Sequence, residues 1–278
     1  PAHIFDLHRF PLKWRATCVK NQRNRGTCVA FGITAAVETK IAVNHNRWTN
    51  LSEQRLYYWA KAPTKHGDGL NTSGVMDSMV SSAFTYPWEH NWDYNPSPSR
   101  DSVGDPAYYV NSCVGYSAEH CSDTSHQGDK VCSSFLGLMF CSTDGSAVPA
   151  SGFQMKNRLH LWSYGAVGGS ALGRLFLALS HPLVISLPVT PTFDQAAGNG
   201  IMTYAGAGED NRGGHALAVM GFVDNENLPG GYPAGAGGGY FIVKNSWGQC
   251  WKDGGYVYIP YDWVHTYGYA LTAVSQVN

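Results

Sequence analysis

The stretch NQRNRGTCVAF, Asn21 to Phe31, sets a thiol at the opening of a periodic apolar run, with the amide Gln22 six residues before it. Cys28 could be a core thiol, half of a disulfide or a nucleophile. Only the thiolate attacks carbon, and an unperturbed thiol is just a few per cent ionised near neutrality. A helix N-terminus and a neighbouring imidazolium both favour the thiolate, and Cys28 stands where the first is expected. Of eleven histidines, His215 in RGGHALAVMGF is distinctive. It opens an apolar strand-like run, and the two preceding glycines allow another backbone or a substrate to come close. Its second ring nitrogen then needs an orienting acceptor, which Asn245 in VKNSWG could supply across a hairpin of strands about 4.8 Å apart. Taken singly, Cys28 reads as a structural thiol, His215 as a satisfied core or surface residue, Asn245 as a turn residue and Trp247 as core.

The elements that must position these groups are readable. Phe31, Ile33, Val37 and Ile41 recur at helical spacing, so an amphipathic helix is expected from Cys28 to about Val43, with Gly26 and Thr27 as turn and cap. A second helix, capped by Ser52 and stopped by Pro63, is expected to about Lys61, a third over Gly74 to Phe84, and a short one over Ser170 to Leu179. PLVISLPV, HALAVMGFV, GYFIVKNSW and GGYVYIP read as strands. LPGGYPAGAGGG is a hairpin connection and not a phosphate loop, because no Gly-Lys-Ser/Thr and no helix follow it. Helices first and strands later point to an α+β protein. Between Tyr94 and Gly169 the chain turns rich in Ser, Pro, Gly and Asp and holds four cysteines, as an irregular stapled insertion would.

Together these segments resemble the papain-like cysteine peptidases. The residues that carry the likeness are Val19 to Phe31, LSEQRL from Leu51, the His215 strand and KNSWGQCWKDGGYVYI from Lys244. The resemblance implies a two-lobe fold, a helical left lobe and an antiparallel β-barrel-like right lobe with the active-site cleft between them. It would make 1–278 one catalytic domain, with 10–168 the mainly helical lobe including the insertion at 95–168, and 169–278 the mainly β lobe. It implies hydrolysis of peptide bonds, with Cys28 as nucleophile, His215 as general base and acid, Asn245 as its orienting partner and Gln22 as a donor to the oxyanion beside the Cys28 amide. Trp247 would shield the His215 to Asn245 bond, and Asn71, Ser73, Gly74 and Gly214 would meet an extended substrate.

Two departures stand out. The usual Cys-Gly-Ser-Cys-Trp appears as Arg25-Gly26-Thr27-Cys28-Val29, so the disulfide of the first cysteine cannot form and the Trp becomes Val. From Cys28 to His215 is 215 − 28 = 187 residues, longer than the roughly 130 to 150 of the family, and the insertion accounts for the excess. The Arg-Gly-Thr-Cys form, the insertion and the IPYDWV ending look more like bacterial members than plant or lysosomal ones.

Seven cysteines leave six for bridges if Cys28 is free. Cys113, Cys121, Cys132 and Cys141 lack the close paired spacing of a zinc motif, so two disulfides of open connectivity are favoured and no metal is expected. Cys18 and Cys250 would then pair, tying the Gln22 segment to NSWGQCW. Such bridges point to a secreted or other oxidising compartment, extracellular, periplasmic or lysosome-like, and the sequons at Asn50 and Asn71 agree. A start at Pro1 without Met or an apolar leader reads as a processed product of a zymogen, with its own pro-segment a potential inhibitor. The net charge of −1 gives no footprint for nucleic acid or an anionic membrane, and no run of 18 apolar residues occurs. The implied partner is a peptide or protein substrate, and no cofactor is required. Glu209 and Asp210 read as solvated loop residues. A catalytically silent binding protein on the same scaffold, or an acyl transferase or ligase using the same acyl-enzyme, would share these residues.

Overall fold

The computed structural model describes residues 12–23, 25–61, 69–91, 94, 130–135, 138–143, 152–163, 169–204 and 206–278. Most of the expected insertion, with Cys113 and Cys121, lies outside them. After a 3-10 turn at Leu12–Arg15 comes helix α1, Cys28–His45. It is buried at every position from Cys28 to Ala42, which corrects the expectation of an amphipathic helix. Its contacts explain the difference: the chain surrounds it on one side with α2, Glu53–Ala60, and α3, Thr72–Ser81, and on the other with a sheet. A helix enclosed on both sides has no solvent face to keep polar, so its polar members must find partners inside.

Local chemistry sets the helix ends. Ser52 Oγ accepts from the Arg55 amide at 3.0 Å, the cap expected for α2. Asn71 Oδ1 accepts from the Gly74 amide at 2.8 Å, so α3 starts before Gly74 rather than at it. Thr27 departs from expectation, because it precedes α1 without a side-chain capping bond.

The hairpin of β1, Lys130–Phe135, and β2, Leu138–Thr143, sets Cys132 opposite Cys141 along the backbone. There follow β3, Met155–Ser163, α4, Gly169–Ala178, β4, Leu183–Pro188, and a short α5, Pro191–Asp194. The chain ends with β5, Gly214–Asp224, β6, Gly239–Lys244, β7, Tyr256–Pro260, α6, Tyr261–Tyr267, and β8, Ala270–Val277. Six strands form one antiparallel sheet in the order β3-β8-β4-β5-β6-β7. Its two edge strands do not pair with each other, so the sheet is open. This corrects the barrel-like expectation, while the α+β class stands.

The sheet meets α1 at one unusually close point. A Cβ on Gly32 would lie 3.2 Å from the backbone of Ala216 and Leu217, so only the absence of a side chain lets α1 settle this near to β5. Among the described residues no helix is long and apolar enough to cross a membrane.

Candidate active site

Gln22, Cys28, His215 and Asn245 come from an irregular segment, the start of α1, the start of β5 and the residue after β6. Antiparallel pairing sets Ala218 opposite Lys244, and this register carries His215 and Asn245 to the same end of the sheet. His215 Nε2 lies 2.9 Å from Asn245 Oδ1. That oxygen also accepts from the Ser246 amide at 2.7 Å, which fixes the direction of the side-chain amide. Two donors on one carbonyl oxygen make His215 Nε2 the protonated nitrogen and leave Nδ1 with the lone pair. Asn245 Nδ2 is buried without a protein partner.

Trp247 stacks on the His215 ring with centroids 4.9 Å apart and planes at 19°. Phe193 stands edge-on to both rings and stacks on Trp251. Sequence reading missed Phe193 and Trp251 as site residues. Trp251 could have been suspected from NSWGQCW, whereas nothing local marks Phe193.

Burial dominates the titration of the pair. It pushes the Cys28 thiol above its ordinary range, against backbone hydrogen bonds from Ala216, Val29 and Cys28 that favour the thiolate. Burial also takes His215 down to about 4, although the Asn245 bond works the other way. Both shifts favour uncharged forms.

The Gln22 side chain is held at both ends. Its Nε2 donates to the Arg25 carbonyl at 2.7 Å, and its Oε1 accepts from Ser246 Oγ at 2.5 Å. The Gln22 amide donates to the Ser246 carbonyl at 2.8 Å. A cleft of about 420 Å³ opens here, with Cys28, Val29, Gly214 and His215 on its walls and Asn71 and Ser73 along one side. Of the expected site residues, Gln22, Gly74, Asn245 and Trp247 do not line it. The Gly74 amide is used by Asn71, and Trp247 covers the imidazole instead.

Behind the cleft lies a buried charge cluster. Lys20 Nζ is 2.6 Å from Glu53 and 3.2 Å from Glu38. Glu38 also accepts from Thr17 Oγ1 at 2.5 Å and from the Leu51 amide at 2.7 Å, while Lys244 donates to Thr17 at 3.1 Å. These bonds tie the Gln22 segment to α1, α2 and β6 through one network.

A family model described as papain family cysteine protease matches residues 4–130 and 163–277. The chain belongs to the papain family of cysteine proteases. The unmatched span between those blocks falls within the expected insertion. Relatives of this papain-family chain include a peptidase C1-like protein of Acanthamoeba polyphaga mimivirus, 24% identical over 94% of this chain and 70% of that one. A viral cathepsin of Orgyia pseudotsugata multicapsid polyhedrosis virus is 25% identical over 91% of this chain and 57% of its own length. Beyond the mimivirus protein, the chain spans little more than half of the full-length curated relatives it matches. In fold it resembles the bromelain protease from Ananas comosus, at 17% identity and a TM-score of 0.57, covering 94% of this chain and 95% of that one. It also resembles a clostridial cysteine protease after propeptide cleavage, at 15% identity and a TM-score of 0.59, covering 96% and 56%.

Where this papain-family chain departs from the usual signature, other contacts fill the space. Arg25 is buried and its guanidinium lies 4.8 Å from the Tyr57 ring centroid, a cation–π contact where the first cysteine would stand. Cys28 is the free thiol among the described residues. Cys18 and Cys250 are each disulfide-bonded. Glu209 is more than a solvated loop residue, because its carboxylate accepts from the Thr192 amide at 2.7 Å and from Trp263 Nε1 at 3.3 Å. Its pKa is held below the ordinary carboxylate value, burial being outweighed by hydrogen bonds from Thr192, Thr190 and Trp263. Asp210 is exposed.

Proposed function

We propose that this papain-family peptidase hydrolyses peptide bonds through an acyl-enzyme on Cys28, with His215 as base and acid, Asn245 as orienting partner and Gln22 as oxyanion donor. The observation that carries the reading is the 2.9 Å bond from His215 Nε2 to Asn245 Oδ1. It leaves Nδ1 as the basic nitrogen of an imidazole that shares the cleft with the only free thiol described. Nδ1 takes the Cys28 proton as sulfur bonds to the scissile carbon. The resulting oxyanion accepts from Gln22 Nε2 and from the Cys28 amide, one of the amides a helix start leaves without partners. The tetrahedral adduct collapses as the imidazolium protonates the leaving amine. A water then gives its proton to Nδ1, attacks the thioester carbonyl, and releases the acid with the thiol restored.

Burial raises Cys28 and lowers His215, so each group taken by itself favours its neutral form and the proton transfer between them needs stabilisation from the site. As sulfur attacks, the negative charge that develops on the substrate carbonyl oxygen is held by the oxyanion donors, and this makes the transfer favourable. The substrate is an extended peptide whose backbone lies along Asn71, Ser73 and Gly214. Cathepsin precursors among the relatives, such as pro-cathepsin H of Bos taurus, support a zymogen with its own pro-segment. The disulfide-bonded state of Cys18 and Cys250 supports an oxidising compartment. The two lobes, 10–168 and 169–278, act as one catalytic domain.

The test pairs Cys28→Ala with covalent labelling. The variant should fold and lose turnover of a peptide substrate, and the parent should take up one equivalent of a peptide-like thiol electrophile. Turnover by the variant near the parent rate would overturn the assignment. A folded but unreactive parent thiol would instead favour a binding protein.

A further inference from the structure

Tyr94 stands apart from the main core. Its ring is fully buried and meets Phe31 edge-on, with centroids 4.8 Å apart. Its amide donates to Glu89 Oε1 at 2.7 Å, which anchors the residue beneath the loop that runs from Gln22 to Thr27. The phenol spans that loop. Tyr94 Oη donates to the Gln22 carbonyl at 2.7 Å and lies 2.8 Å from Thr27 Oγ1. A phenol has one proton, so with that proton on Gln22 the Thr27 hydroxyl must be the donor in the second bond.

This accounts for the missing cap at Thr27. A threonine in that position ordinarily turns its oxygen to the amides of the first helical turn. Here the hydroxyl faces Tyr94, and Thr27 makes no side-chain capping bond to those amides. The two ends of the loop also carry the two proposed oxyanion donors, the Gln22 side chain and the Cys28 amide next to Thr27.

We propose that Tyr94 is a positioning residue that sets the spacing of the two oxyanion donors, by bridging Gln22 to Thr27 and drawing the Thr27 hydroxyl away from the helix start. The inference rests on the reading of Gln22 as an oxyanion donor. It predicts an effect on steps that build an oxyanion and none on the thiol's intrinsic reactivity. The experiment compares peptide hydrolysis with alkylation of Cys28 by iodoacetamide, a displacement at saturated carbon that forms no oxyanion. Tyr94→Phe keeps the ring against Phe31 and removes only the hydroxyl. It should lower kcat by about 3- to 10-fold, the worth of one neutral hydrogen bond, with KM and the alkylation rate unchanged.

Thr27→Val should act in the same direction. The double variant should lose no more than the larger single one, because both break the same bridge. An unaltered kcat in Tyr94→Phe, or alkylation slowed in step with hydrolysis, would overturn the proposal. Should Tyr94→Phe fail to fold, Thr27→Val decides by the same two rates. Gln22→Ala separates the failures: parent-like turnover in it sinks the oxyanion reading itself, whereas an impaired Gln22→Ala beside an unimpaired Tyr94→Phe sinks only the role of Tyr94.

Discussion

Gly32 of α1 lies so close to Ala216 of β5 that a methyl group on it would sit 3.2 Å from the Ala216 carbonyl carbon and oxygen. Four residues before Gly32 is Cys28, and immediately before Ala216 is His215. The closeness of the helix to the strand therefore governs whether sulfur and imidazole meet. Gly32→Ala should raise intrinsic helix propensity by up to about 1 kcal/mol while pushing β5 back by a few tenths of an ångström. We expect kcat/KM to fall by at least about 10-fold, with a smaller change in unfolding free energy, since reacting groups tolerate little misplacement. Steady-state kinetics beside urea denaturation checks this, and a variant with parent kinetics would show that the close approach is dispensable.

Removing the orienting amide should be severe. Asn245→Ala frees the His215 ring to turn under Trp247 and deprives Nε2 of its acceptor. Turnover should drop by about 100-fold, within the range of a misdirected general base. Alkylation of Cys28 over a pH series would report the same loss as a changed profile.

Gln22→Ala should cost roughly 3 kcal/mol of transition-state stabilisation, appearing in kcat more than in KM, because the oxyanion exists only after attack. An equal loss in binding of a non-hydrolysable peptide would mean that Gln22 grips the ground state instead.

The pH dependence follows from the two burial shifts. At neutral pH the pair holds one proton on sulfur, with Nδ1 free. Activity should fall on the acid side as His215 gains a proton near its depressed value of about 4, and on the alkaline side above the ordinary thiol range as Cys28 loses its own. The profile of kcat/KM is therefore a broad bell with its acid limb near 4. An acid limb at the unshifted histidine value of 6.5 would refute the effect of burial. The same shift acts on stability. Between pH 6.5 and about 4 the unfolded chain takes up a proton at His215 that the folded chain refuses, so this group's contribution is present above 6.5 and is lost as the pH falls through that window.

Lys20→Met should destabilise the fold by roughly 3 to 5 kcal/mol, because it strands Glu38 and Glu53 as buried carboxylates without their cation. Chemical denaturation of the Cys28→Ala form, which cannot digest itself, would measure it. Burial raises Glu53 to about 7 even with Lys20 present, so the carboxylate has little margin when the cation is removed.

Much of this molecule could be read from residue order. The start of α1 at Cys28, the Ser52 cap, and the strands around His215 and after Gly239 all follow from spacing and capping chemistry that act within a few residues. Gln22, Cys28, His215 and Asn245 could be singled out as candidates because their residue types are rare in combination and stand in recognisable local settings. The full burial of α1 was not legible, since Phe31, Ile33, Val37 and Ile41 imply one apolar face and say nothing of what encloses the other. The last strand was missed because ALTAVSQV is weakly patterned, and its place between β3 and β4 depends on partners more than 80 residues away in sequence.

Local chemistry thus determined which groups this protein has available: a thiol at the start of a helix, an imidazole at a strand start, and the side-chain amides of Gln22 and Asn245. Only tertiary structure decided how they stand. The sheet register brought Asn245 to His215, Gly32 let the helix approach, and burial set both titrations. Those effects sum contacts across the whole chain, and a pattern over a few neighbouring residues carries no term for them.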